Sequence, residues 1–231
     1  MSKICNNCCP NDRWHPNSIA TYENYLSKSF ETGNNVLYIK EIKKNIAYNL
    51  QYLEFQNQLL LEFRLTDVII TQIYKNFIIT GISIVEVILY YLLKSRNMYK
   101  IKKWSRIGKN SGYMEISKKK FKVENRIFKK VNKLTYIEMD FGDMTKKAQK
   151  EGLIGNNQEI YKRLPYLRRL RNKLHLQIIE KTSDTDWWNF NKKDIDNMKE
   201  VLYFILTSEL FVPNKNEKLI FDFLVTKPKE Y

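Results

Sequence analysis

The stretch from Val68 to Leu93 constrains the fold most, because it is apolar on nearly every side of a helix and must therefore lie among other elements. Thr66 and Asp67, both capping types, predict where it starts. Its inner part, NFIITGISIVEVILYYLL, residues 76–93, approaches the length that spans a bilayer. Glu86 stands deep within it, and a central acid costs about 2.5–3.5 kcal/mol on insertion. The expectation is a buried core helix and no membrane association. A lone acid in such surroundings needs a partner, either a nearby Lys or Tyr or a functional cation that it orients.

A core helix of this kind needs companions. From Val36 to Phe63, Ile39, Ile42, Ile46, Leu50, Leu53 and Leu60 recur at spacings of three, four and seven, which predicts an amphipathic helix of up to roughly 40 Å. Further helices are expected from about Asp143 to Glu151 and from near Asn156 to about Lys181, the latter interrupted or restarted at Pro165. A last one is expected between Asp194 and Phe211, where Ile195, Met198, Val201, Leu202, Ile205 and Leu206 keep helical spacing. Seven Gly and five Pro leave too little punctuation for a many-turned β fold. The expected class is all-α: residues 1–34 form an irregular arm, 35–211 a helical bundle with an insertion at about 95–135, and 212–231 a tail.

The formal net charge of +15 is unevenly placed. Between Lys94 and Lys133, fifteen Lys and Arg face two acids, Glu115 and Glu124, so this segment carries nearly the whole excess. Gly108, Asn110, Ser111 and Gly112 read as a turn followed by rough alternation, which predicts a short β-hairpin or an irregular insertion. Tyr99, Trp104, Tyr113, Phe121 and Phe128 are interleaved with the cations, the mixture expected where bases stack and phosphates are neutralised. Trp104, Lys118, Lys119 and Lys120 are candidate RNA-binding residues.

The segment LRRLRNKLHL, residues 167–176, holds three arginines and one of the two histidines. On a straight helix Leu167, Leu170, Leu174 and Ile178 form a stripe facing the core, and Arg168, Arg171 and His175 form a second stripe beside it. Asn172 borders that stripe, while Arg169 and Lys173 point to the solvated side. Imidazole can take and give a proton near neutrality, and the guanidinium fork matches phosphate oxygens. Together they suit cleavage of an RNA phosphodiester, where a 2′-OH loses a proton and charge builds on phosphorus.

Arg171-Asn172-Lys173-Leu174-His175 resembles the signature of the HEPN superfamily, helical bundles that include metal-independent ribonucleases of toxin–antitoxin, CRISPR-linked and antiphage systems. The family pattern is Arg, commonly followed by Asn, Asp or His, then His four to six residues on. Here three residues separate Arg171 from His175, five separate Arg169 and six separate Arg168. Straight-helix geometry and the Arg-Asn pairing favour Arg171, and an upstream Arg is the alternative partner. The resemblance implies His175 as acid–base group, Arg171 as stabiliser of the transition state, Asn172 as positioning group, and Arg168 and Arg169 as RNA contacts. It also implies a homodimer, since two copies of the motif form one cleft. Glu86 would orient Arg171 or His175.

Cys5, Cys8, Cys9 and His15 contain one Cys-x2-Cys half-site and no second one, so the expectation is a free-thiol arm and no metal. An odd cysteine count and the lack of an apolar run near the amino terminus point to a reduced, cytoplasmic protein. The functional expectation is a metal-independent endoribonuclease, needing no cofactor, in toxin–antitoxin or antiphage defence. The alternatives are a non-catalytic RNA- or nucleotide-binding bundle and a scaffold docking an acidic partner such as an antitoxin.

Overall fold

A computed structural model describes residues 14–30, 36–133, 135–174, 182 and 184–225. The elements run α1 (Ile19–Leu26), α2 (Ile39–Glu62), α3 (Asp67–Ser95), β1 (Trp104–Ile116), β2 (Lys119–Lys130), α4 (Phe141–Lys150), α5 (Gln158–Asn172), α6 (Asp186–Asn189), α7 (Lys192–Leu206) and α8 (Lys215–Leu219), with a 3-10 turn at Asp222–Leu224. The protein is mostly helical with one two-stranded antiparallel sheet. It divides into two compact units, one of Met1–Asn97 with Phe141–Tyr231 and one of Met98–Asp140.

In the helical unit α3 is central, packed against α2, α4, α5, α6 and α7. Phe77, Ile78, Ile82, Val85, Ile88 and Leu89 are fully buried along it. Among the described residues it is also the one helix long and apolar enough to cross a membrane. Gly81 lets α7 come close, since a Cβ there would sit 2.7 Å from Cγ of Met198. On the other side Ile46, Leu50 and Leu53 of α2 carry the expected stripe into the core.

The two ends of the chain depart from expectation. Within the segment read as an irregular arm, Ser18 caps α1, and Tyr22, Tyr25, Leu26 and Phe30 are buried. Glu54 of α2 fastens this helix by accepting from Asn17 N at 2.8 Å and Tyr22 Oη at 2.7 Å. Of the expected tail, Phe221 and Leu224 are buried, and the Phe221 ring meets Tyr25 edge-on at 4.9 Å. Aromatic burial, which outweighs the polar look of both termini, joins described residues 14–30 to 212–225.

Two more corrections concern α5. The helix runs through Pro165 without restarting there. It also ends at Asn172 with Lys173 as its C-cap, and residues 175–181 of the expected helix lie outside the described residues.

The second unit is a ribbon. β1 and β2 pair from Trp104 opposite Lys130 to Ile116 opposite Lys119, with a bulge between Arg106 and Gly108. Lys102 N to Thr135 O at 2.7 Å and Ile137 N to Lys100 O at 2.9 Å extend the pairing beyond the strands. The turn lies at Ser117 and Lys118, with φ of 52° and 61°, and not at Gly108–Gly112, which are inside β1. Both turn positions are left-handed, as the right-handed twist of a tight hairpin demands. Neither carries the Asn or Gly that would have announced it.

Candidate functional site

The last turn of α5 brings the motif arginine to the acid of α3. Nη2 of Arg171 lies 3.2 Å from Oε2 of Glu86, with the two side chains 37% and 27% exposed. Leu164, Leu167 and Leu170 are buried and seat α5 on the bundle, so Arg171 emerges at the edge of the packed face. Glu86 holds one side of the guanidinium at partial exposure. A planar fork so held is pre-oriented for an anion. Arg171 also stands in the last turn of α5, at the C-terminal end of the helix, where a cation is favoured.

The neighbouring candidates separate. Arg168 is half-buried, and Arg169 is exposed with its guanidinium 5.7 Å from the centre of the Tyr166 ring. Asn172 is the exposed final residue of α5. His175 and Ile178 lie outside the described residues, as do Cys5, Cys8 and Cys9; Nδ1 of His15 is 3.2 Å from the Pro16 carbonyl. Leu174, expected in the core stripe, is 48% exposed because the helix has ended and it sits in the following turn.

Lys173 was expected in solvent. Instead its Nζ donates to Oδ2 of Asp184 at 2.6 Å, and that carboxylate also accepts from Asn189 Nδ2 at 2.8 Å. Asp184 is almost wholly covered, with a side chain 1% exposed. The pair fixes the chain on both sides of residues 174–183. A short-range pattern could not disclose it, since an isolated Lys in a basic run looks solvated.

Two further polar anchors hold the same part of the bundle. Tyr166 Oη donates to Asp194 Oδ1 at 2.7 Å; burial and then this carboxylate push the phenol up to about 12. Asp194 is also the third residue of a capping box with Asn191, so α5 is tied to the start of α7. Buried Lys75 of α3 donates to both carboxylate oxygens of Asp186, at 3.0 and 2.9 Å, and Gln72 adds a bond at 2.9 Å. Burial works to raise the Asp186 carboxyl, but these donors overcome it and leave the group below its ordinary value.

The other candidates belong to the ribbon. Trp104 opens β1 and is 57% exposed, Lys118 is in the turn, and Lys119 and Lys120 begin β2, both exposed. Lys119 and Lys120 point to opposite sides because side chains alternate along a strand.

A cavity of about 600 Å³ lies where α3 and α7 end, lined by Arg96, Gly155, Phe204, Ser208 and Glu209 among others, and neither Arg171 nor Glu86 lines it. Among the described residues, no three His, Cys, Asp or Glu side chains group as metal ligands do. No family model, curated protein or solved structure matches this chain.

Proposed function

We propose that the protein is a HEPN-like, metal-independent endoribonuclease that leaves 2′,3′-cyclic phosphate ends. The observation that carries this reading is the Arg171–Glu86 pair at the end of α5: a half-exposed guanidinium, oriented by an acid of the central helix, beside Asn172 and close in sequence to His175. His175 moves the proton of the 2′-OH and of the leaving oxygen, and Arg171 neutralises the charge on phosphorus. Asn172 positions the scissile group. The basic ribbon supplies attraction for the RNA. One Arg and one His cannot surround a phosphate, so two copies complete the cleft as a homodimer. A cytoplasmic location and a role in toxin–antitoxin or antiphage defence, restrained by a partner such as an antitoxin, belong to the same proposal.

The end of α5 at Asn172 favours a second reading, in which Arg171 and the neighbouring arginines grip phosphate without cleaving it. Purified protein with mixed RNA in EDTA separates the two. Cleavage with cyclic phosphate ends that is lost in His175→Ala and in Arg171→Ala is the expected result. Intact RNA with the wild-type protein overturns the catalytic reading, and a monomer by light scattering that still cuts RNA overturns the shared cleft.

A further inference from the structure

The ribbon sorts its side chains by side. Directly paired residues of antiparallel strands share a face, so the register assigns every paired position. One side carries Met114, Ile116, Phe121, Val123 and Ile127, with two cations, Lys119 and Lys129. The other carries Arg106, Lys109, Lys120, Lys122, Arg126 and Lys130, against Glu115 and Glu124.

The aromatic residues do not all follow the apolar side. Trp104, Tyr113 and Phe128 sit on the cationic side, 57%, 74% and 50% exposed. Each is directly opposite a cation of the other strand: Trp104 faces Lys130, Phe128 faces Arg106 and Tyr113 faces Lys122. This makes three modules of one flat ring and one positive charge along the ribbon. A π-face accepts any base, and the adjacent charge accepts a phosphate.

The same side contains a pairing that weakens the ribbon by itself. Lys109 stands directly opposite Arg126, and like charges so placed are destabilising. Glu124 lies against both, 2.6 Å from Lys109 Nζ and 3.7 Å from Arg126 Nη2, and also 2.9 Å from Lys122 Nζ. One carboxylate for three cations leaves an excess that a polyanion neutralises.

We infer that the cationic side of the ribbon is a binding track for single-stranded RNA, with bases stacked on Trp104, Phe128 and Tyr113 and phosphates on the cation opposite each ring. A single strand is favoured over a duplex because rings can stack only on bases that are splayed out, and the narrow major groove of duplex RNA excludes side chains. The inference rests on RNA as the protein's substrate, and it adds the form of the RNA and the side of the ribbon that holds it.

The test uses full-length protein and a short labelled 2′-O-methyl RNA, which has no free 2′-OH and cannot be cleaved, titrated over a range of salt. Two double variants remove the same charge from opposite sides: Lys122→Gln/Lys130→Gln and Lys119→Gln/Lys129→Gln. The first should flatten the salt dependence by about 0.7 for each phosphate no longer neutralised, and the second should leave it unchanged. Trp104→Ala and Phe128→Ala should each weaken binding roughly 5- to 150-fold, while Trp104→Tyr, which keeps a ring, should restore most of it. Glu124→Gln should tighten binding at low salt.

Equal slopes for the two double variants would overturn the inference, since side would then not matter. So would preference for the duplex form of the oligonucleotide, or binding to anionic vesicles that is lost in Ile127→Asn and kept in Trp104→Ala. Cleavage of unmodified RNA by the wild-type protein is followed in parallel. Cleavage without side-dependent binding sinks this inference alone, and side-dependent binding without cleavage sinks the nuclease reading alone.

Discussion

In the helical unit, Lys75 is buried and held by Asp186, whose carboxylate also accepts from Gln72, while in the ribbon Lys109 and Arg126 face one another with Glu124 as their shared counterion. The same contrast holds for apolar residues: Phe77, Ile82 and Leu202 are sealed in the bundle, whereas Ile116 and Ile127 of the ribbon are about half-exposed. A two-stranded hairpin alone is marginally stable in water, because it buries too little to offset the entropy of ordering it. The buried cation of the bundle has a carboxylate of its own, whereas in the ribbon one carboxylate serves three cations. The helical unit is thus built for stability, and the ribbon is built for its surface.

That contrast can be broken by substitution, and the largest effect is expected where α1 packs against Phe221. Phe221→Ala removes a fully buried ring from the cluster with Tyr22 and Tyr25 and should lower stability by about 3–5 kcal/mol in urea unfolding. Ile127→Ala in the ribbon should change the same measurement by less than about 1 kcal/mol. If both cost alike, the ribbon is no less structural than the bundle.

Asp186→Asn comes next. It leaves Lys75 buried without its charge partner, at an expected cost of about 3 kcal/mol at neutral pH. The folded carboxyl titrates below its ordinary value near 3.8, so the pair's contribution is full above that pH and vanishes as pH falls through the lower folded value. Thermal unfolding of wild type and variant should therefore converge in acid, and a gap that stays constant would mean that the carboxylate is not the stabilising form.

Arg171→Ala and Glu86→Gln should sharpen the comparison from within the bundle. Their partly exposed pair contributes no more than about 1 kcal/mol, so Tm should barely move. RNA cleavage should be abolished in the first and reduced in the second, and it should survive Arg169→Ala, whose side chain is exposed. A large Tm drop with cleavage retained would make Arg171 a packing residue. The smallest effect is expected at the ribbon turn: Lys118→Gly removes a side chain from a left-handed position and should stabilise the ribbon by up to about 1 kcal/mol, read as slower hydrogen exchange in β1 and β2.

Much of the helical unit was legible because its cues are local. The all-round apolar run gave α3 to within two residues at each end, and the three-and-four spacing of Ile46, Leu50 and Leu53 gave the buried face of α2. Where a second signal competed, local reading failed. Gly108 and Gly112 looked like a turn but lie in β1, and for Gly112 a Cβ would meet nothing within 4 Å. Polar neighbours hid Tyr22 and Phe221, whose burial depends on each other across the length of the chain.

The sequence by itself determined the central helix, the helical class of the larger unit, the concentration of charge between Lys94 and Lys133 and the candidacy of Arg171, since each follows from residue type and spacing along the chain. Only the tertiary structure decided that Arg171 is held by Glu86, that Lys173 is locked to Asp184 at the end of α5, and which cations of the ribbon share a side with Trp104. The physical reason is that helix and strand periodicity are set by neighbours a few residues away, while ion pairs and register depend on groups brought together by packing, for which no local preference exists.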